Sequence, residues 1–203
     1  MRGITAKAVL LILLISVVGC SDRAELSYIP PEGVILAFGD SLTRGVGSSA
    51  GGDYPSQLQQ LTGRQVINAG ISGEVSDAGL QRLPGLLSQY QPAMLILLEG
   101  GNDILQNRDT NHLKQNLARM ITLARQHNTD VVLVAVPENN LFSNSAPLYR
   151  ELADEHRVVV ESEIIASLLR NSQYKSDPVH FNNRGYKALA QRIKSLLQDY
   201  NAL

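Results

Sequence analysis

Val34-Ile35-Leu36-Ala37-Phe38-Gly39-Asp40-Ser41 is the stretch on which the fold reading turns: five apolar residues in succession, then Gly, Asp and Ser. A half-exposed strand alternates, so an unbroken apolar run closed by turn residues reads as a strand buried on both faces. Comparable runs downstream give expected strands at 34–38, 65–69, 94–99, 131–136 and 158–160. Leu113, Leu117, Ile121 and Ala124 recur at helical spacing, as do Tyr186, Leu189, Ile193 and Leu197. Each of these segments presents one apolar stripe to a sheet. Strands alternating with helices imply an α/β fold with three α/β/α layers around a parallel sheet of about five strands.

In such a sheet, ligands bind beyond the carboxyl ends of the strands. Ser41 stands there, directly after the first apolar run. A serine hydroxyl is a poor nucleophile at neutral pH and needs an imidazole to take its proton and a carboxylate to orient the imidazole. Four histidines are available. His112 and His127 bracket an amphipathic helical segment, and His156 sits among Asp154, Glu155 and Arg157. His180 follows Asp177 by three residues in Asp177-Pro178-Val179-His180, which reads as a loop before the last helix. A loop at a site's rim suits a mobile base. Taken singly, these residues also have plainer readings. Gly39-Asp40-Ser41 could be an ordinary strand-ending turn, and Asn102, after Gly100-Gly101, could simply tolerate a left-handed turn.

Four segments read together carry more. Gly39-Asp40-Ser41-Leu42-Thr43, Asn68-Ala69-Gly70-Ile71-Ser72-Gly73, Gly100-Gly101-Asn102-Asp103 and Asp177-Pro178-Val179-His180, with Asn182 just beyond, occur in this order. Across residue 34 to about residue 200 the chain resembles the SGNH or GDSL hydrolases, and most of all bacterial esterases of the lysophospholipase, acyl-thioesterase and arylesterase type. The resemblance implies a flavodoxin-like fold and a serine esterase that hydrolyses acyl esters, thioesters or lysophospholipids through an acyl-enzyme. In that scheme Ser41 is the nucleophile, His180 the base and Asp177 its orienting acid. The backbone N–H groups of Ser41 and Gly73 and the Asn102 amide form the oxyanion hole. Gly73 suits this because a residue without Cβ lets substrate approach its backbone. Asp40 is expected to shape the nucleophile turn. No metal or organic cofactor is implied. A carbohydrate acetylesterase and a lipoprotein that binds a ligand without turnover are the alternatives.

Other features are weighed against this reading. Ile104-Leu105 and Leu141-Phe142 are candidates for an acyl groove or for plain packing. Gly45-Val46-Gly47-Ser48-Ser49-Ala50 matches a permissive dinucleotide pattern but starts too far beyond the strand, and no acid follows the second strand, so it reads as a flexible loop. The Gly-x-Ser-x-Gly elbow of the α/β-hydrolases is absent, because Thr43 stands where the second glycine belongs.

The amino terminus reads separately. Arg2 and Lys7 precede an apolar run from Ala8 to Val18, broken only by Ser16, and Gly19-Cys20-Ser21 follows. A spanning helix needs about 20 residues, so the run has the layout of a signal peptide. Val17-Val18-Gly19-Cys20 resembles a bacterial lipobox, which implies removal of residues 1–19 and lipidation of Cys20. The implied location is the bacterial cell envelope, lipid-anchored and facing the periplasm, with the outer membrane favoured by Ser21 in a Gram-negative host. An ordinary cleaved signal with an incidental cysteine is the plainer alternative.

Residues 20–33, with Pro30-Pro31 and no apolar periodicity, read as a tether, leaving 34–203 as the hydrolase domain. Arg2 and Lys7 are two of the 18 basic residues and no acid precedes Cys20, so the rest of the chain carries a formal charge of −3 with histidines neutral. Nucleic acid is not an expected partner. Cys20 is the only cysteine, so the fold must hold by packing, and the sequence shows no Cys/His metal cluster. The expected partners are a small-molecule or lipid ester and, through the anchor, a membrane.

Overall fold

The structure, a computed structural model, describes residues 24–138 and 144–203. The signal segment, Cys20, Leu141 and Phe142 lie outside the described residues. Five strands, β1 (Val34–Gly39), β2 (Gln65–Gly70), β3 (Met94–Leu98), β4 (Asp130–Val134) and β5 (Val159–Glu161), form one parallel sheet in the order β2-β1-β3-β4-β5. The α/β expectation holds, and each expected strand is found within a residue or two. Apolar side chains of β1, β3 and β4 are buried along nearly their whole length, as central parallel strands covered on both faces require.

Among the described residues, eight α-helices flank the sheet: α1 (Ser41–Arg44), α2 (Tyr54–Thr62), α3 (Ser76–Tyr90), α4 (Gly101–Leu105), α5 (Thr110–Gln126), α6 (Pro147–His156), α7 (Ile164–Leu169) and α8 (Asn183–Asp199). α2 packs against α8, while α3 packs against α5 and α5 against α6. The stripes read from the sequence face inward: α5 buries Leu113, Leu117, Ile121 and Ala124, and α8 buries Tyr186, Leu189, Ile193 and Leu197. The chain leaves β1 for β2 on one side and returns to β3 on the other. The carboxyl ends of β1 and β3 therefore form a topological switch point, where an open α/β sheet leaves a crevice.

Two stretches behave differently from their sequence reading. Of the expected tether, residues 24–33 belong to the folded unit. Ile29 is fully buried, its N–H donates to the Ala202 carbonyl at 2.9 Å, and its own carbonyl accepts from Arg64 Nε at 3.0 Å. Ser27 N–H donates to Asp130 Oδ2 at 2.6 Å. An extended segment can bury a single side chain without any periodicity, which is why the pattern was silent. The Gly45–Ala50 loop is likewise held in place, although Gly47, Ser49 and Ala50 keep exposed surface. A Cβ on Gly47 would lie 2.0 Å from Ser176 Oγ and 2.6 Å from the Phe181 carbonyl, and Tyr186 Oη donates to the Val46 carbonyl at 2.7 Å.

Because Ile29 is part of the core, Ile29→Ala is expected to cost about 2–5 kcal/mol, a fall in Tm of roughly 5–15 °C for a chain of this size. Calorimetry checks this. An unchanged Tm would return the segment to the tether reading.

Candidate active site

The site begins where β1 and β3 touch. A Cβ at Gly39 would lie 1.8 Å from the Leu98 carbonyl oxygen, so only glycine fits. Immediately beyond, Asp40 caps α1 with Oδ1 accepting from Leu42 N–H at 2.9 Å, and this sharp turn delivers Ser41 at the helix start. On the neighbouring strand, Gly100 takes the left-handed conformation, with φ 105°, and starts α4. Asn102 lies inside that helix, so the left-handed turn belongs to Gly100.

Asp177 and His180 come from the loop before α8. Far from slack, this loop is held by its own backbone. Asp177 Oδ1 accepts from the N–H groups of Val179 and His180 at 2.9 and 2.8 Å, and Ser176 N–H donates to the His180 carbonyl at 3.1 Å. Asn182 caps α8 and donates to the Gln173 and Lys175 carbonyls. Close packing of Gly47 on Ser176 and Phe181 brings the loop onto the turn after α1. His180 Nε2 then lies 2.9 Å from Ser41 Oγ, and His180 Nδ1 2.7 Å from Asp177 Oδ2. Desolvation pushes the Asp177 carboxyl up, but the Val179 and His180 N–H groups and the His180 ring outweigh it and hold it below its ordinary value. An ionised Asp177 can only accept, so Nδ1 carries the proton and a neutral ring presents Nε2 as acceptor to the Ser41 hydroxyl. His112 instead pairs with Asp77 at 2.7 Å, and His127 and His156 stand at the ends of α5 and α6.

Gly73 and Asn102 face the same crevice. Gly73 has φ 78° with open space around its Cβ position, so backbone conformation, more than crowding, calls for glycine here. Asn102 Nδ2 donates to the Glu74 carbonyl at 2.8 Å and more loosely to Asp40 Oδ2 at 3.3 Å. These residues and Ser41 line a cleft of about 740 Å³. Its apolar wall comes from Ile104 and Leu105 of α4, Val136 beyond β4, Ile165 and Leu169 of α7, and Val179. The α7 contribution was not singled out in the sequence, although the run Ile164-Ile165-Ala166 directly after a strand end was the available signal.

Beneath Ser41 lie carboxyls that the sequence reading missed as a group. Burial pushes Asp40 up to about 6, opposed by the Leu42 N–H and the His180 charge, while Glu74 and Asp103 add to the rise. Glu99 is fully buried and is pushed well above the usual carboxylate range by its desolvation and by neighbouring Asp40 and Glu74. Its Oε1 accepts from Gly100 N–H at 3.2 Å, while Oε2 has no partner among the described residues.

Residues 37–188 match the model of the GDSL-like lipase/acylhydrolase family. Esterase TesA of Pseudomonas aeruginosa is 34% identical over 138 residues, which are 66% of this chain and 67% of that protein. Thioesterase 1/protease 1/lysophospholipase L1 of Escherichia coli K12 is 29% identical over 175 residues, 81% of this chain and 83% of that protein. Among solved structures, the psychrotrophic esterase EstA from Pseudoalteromonas, inhibited by monoethylphosphonate, superposes with a TM-score of 0.75 over 83% of this chain and 98% of its own, at 20% identity. That likeness speaks for the fold.

Asp40 makes stability depend on pH in a definite direction. Its folded value, about 6, lies above the ordinary 3.8, so the folded state holds a disfavoured ion above pH 6, and the penalty fades as the pH falls toward 4. A shift of about two units corresponds to about 3 kcal/mol. Asp40→Asn, which keeps an acceptor for Leu42 N–H, is therefore expected to raise Tm at pH 7.5 and to lose most of that gain at pH 4. A gain that is constant with pH in thermal unfolding would attribute it to packing instead.

Proposed function

The chain belongs to the GDSL-like lipase/acylhydrolase family and is a serine ester hydrolase, and from that premise we propose that Ser41, His180 and Asp177 carry out its reaction. The observation that supports this is the unbroken run of hydrogen bonds from Ser41 Oγ through the His180 ring to Asp177. Ser41 Oγ attacks the acyl carbonyl carbon as its proton passes to His180 Nε2. The imidazolium so formed is stabilised by the ionised Asp177 and then gives the proton to the departing alcohol or thiol. In the second half, His180 takes a proton from water, hydroxide attacks the acyl-enzyme carbonyl, and the Ser41 oxygen leaves as its proton returns. The developing oxyanion is met by the N–H groups of Ser41 and Gly73 and by the Asn102 amide, whose loose 3.3 Å bond to Asp40 is the one it gives up.

The cleft argues for the acyl half of the substrate as the part recognised. Apolar side chains on α4 and α7 line it beside Ser41, and its volume of about 740 Å³ exceeds what an acetyl group fills. We therefore propose medium-chain acyl esters, thioesters and lysophospholipids as substrates. The Escherichia coli relative's name joins thioesterase and lysophospholipase, which supports the same class. At about 0.8 kcal/mol per buried methylene, kcat/KM on p-nitrophenyl esters should rise severalfold per CH2 from acetyl until the cleft is full. A fluorophosphonate should label Ser41, and Ser41→Ala should abolish turnover. A preference for acetyl would favour the carbohydrate acetylesterase instead, and labelling at another serine would sink the assignment.

For location we propose lipidation at Cys20. Three residues separate Cys20 from Ala24, and Ser27 binds Asp130 at the amino end of β4. The cleft opens at the carboxyl ends of the strands, about 20 Å away along β1. An anchor at Cys20 would hold the enzyme at a membrane surface. Wild-type protein should incorporate labelled fatty acid, whereas Cys20→Ser should not. A chain beginning at Ser21 behind a cleavable signal should be released while keeping its esterase activity. Unlabelled wild type would end the anchor proposal and leave the catalytic one standing.

A further inference from the structure

Arg82, on α3, does not line the cleft, yet it touches the backbone that builds it. Its Nε donates to Glu74 Oε1 at 2.7 Å and its Nη2 binds Glu74 Oε2. The same Nη2 donates to the carbonyls of Ala69 at 2.8 Å and Gly39 at 3.3 Å, the ends of β2 and β1. The guanidinium carbon lies 4.0 Å over the Phe38 ring, a cation–π contact that fixes the plane of the fork. The side chain of Glu74 is only 4% exposed, so this ion pair is largely desolvated.

What Arg82 holds determines what it does. Gly39 stands two residues before Ser41, and its carbonyl also accepts from Ile71 N–H at 3.0 Å. Ile71 starts the tight turn that Glu74 N–H closes at 3.2 Å, and Gly73 lies within it. The Glu74 carbonyl takes the shorter of the two Asn102 amide bonds, at 2.8 Å. One planar fork thus braces the strand leading to Ser41, the turn carrying Gly73 and the carbonyl that aims Asn102. We infer that Arg82, paired with Glu74, is a positioning residue for the oxyanion-binding groups, acting chiefly through the Glu74 carbonyl on Asn102. This rests on the reading that Ser41, Gly73 and Asn102 receive the oxyanion.

A charge whose only duty is to neutralise Glu74 would affect stability. A positioning residue affects kcat through Asn102, and this difference defines the test. With a medium-chain p-nitrophenyl ester, Asn102→Ala should lower kcat by roughly 10²–10³. Arg82→Gln should lower kcat about tenfold with KM within about twofold, because the transition state is misaligned while the acyl cleft is intact. In the Asn102→Ala background the same change should cost less than about threefold, since the amide it aims is gone. Arg82→Lys keeps the charge but loses the fork. It should resemble Arg82→Gln in kcat, and it replaces that variant in the cycle if the glutamine form does not fold. A folded Arg82 variant with kcat within twofold of wild type overturns the inference, as does a tenfold loss that persists in full on Asn102→Ala. Unchanged kcat in Asn102→Ala would remove the oxyanion reading itself and this inference with it.

Discussion

The near-contact of β1 with β3 at Gly39 constrains everything around the site. With 1.8 Å between a would-be Cβ and the Leu98 carbonyl, the two strands close on each other just where their chains turn away from the sheet. The turn after β1 carries Asp40 and Ser41, and the turn after β3 carries Gly100 and Asn102. Drawing the strands together places the nucleophile turn and the Asn102 helix on facing walls of one crevice. The Gly39 carbonyl, turned away from β3, is shared between Ile71 N–H and Arg82, so the same residue also hangs the Gly73 turn.

A second constraint is charge. Asp40, Glu74, Glu99 and Asp103 are all buried near Ser41, and four desolvated carboxylates cannot all stay ionised without partners. Each is accommodated differently. Glu74 has the Arg82 fork, and Asp103 accepts from Ser76 N–H and Oγ at 2.8 and 2.7 Å. Asp40 has one backbone N–H and a loose amide, and its value rises. Among the described residues Glu99 has Gly100 N–H alone, and burial raises its value well above the usual carboxylate range. The polar floor of the site is thus graded from firmly paired to barely satisfied, and the firmly paired members hold backbone segments in place. Asp103 does this for the start of α3, and Glu74 for the Gly73 turn.

The Asp177–His180 pair illustrates local economy. Because Asp177 Oδ1 is occupied by the N–H groups of its own loop, Oδ2 is left pointing at the His180 ring. Three residues therefore set the imidazole's tautomer and orientation without help from another element. The long-range part of the geometry, the 2.9 Å approach to Ser41, depends on Gly47 accepting the loop against it.

The sequence by itself determined the strands, the α5 and α8 stripes, the order of the four motif segments and hence the family and its chemistry. These are read from unbroken apolar runs, from the 3.6-residue helical period and from short motifs, all local properties of a chain. It also contained the Asp177–His180 pair as a unit, since those residues are neighbours along the backbone. Only the tertiary structure decided that Ile29 belongs to the core, that the Gly45–Ala50 loop is held against the Ser176 loop, that α7 lines the cleft, and that Arg82 lies beneath the turn that carries Gly73. Each of these depends on contacts between residues far apart in the chain, such as Arg82 with Gly39 or Ile29 with Ala202. A lone arginine on a helix or a lone isoleucine in an extended segment has no periodicity to reveal it, and its role exists only once the strands have brought its partners within hydrogen-bonding or van der Waals distance.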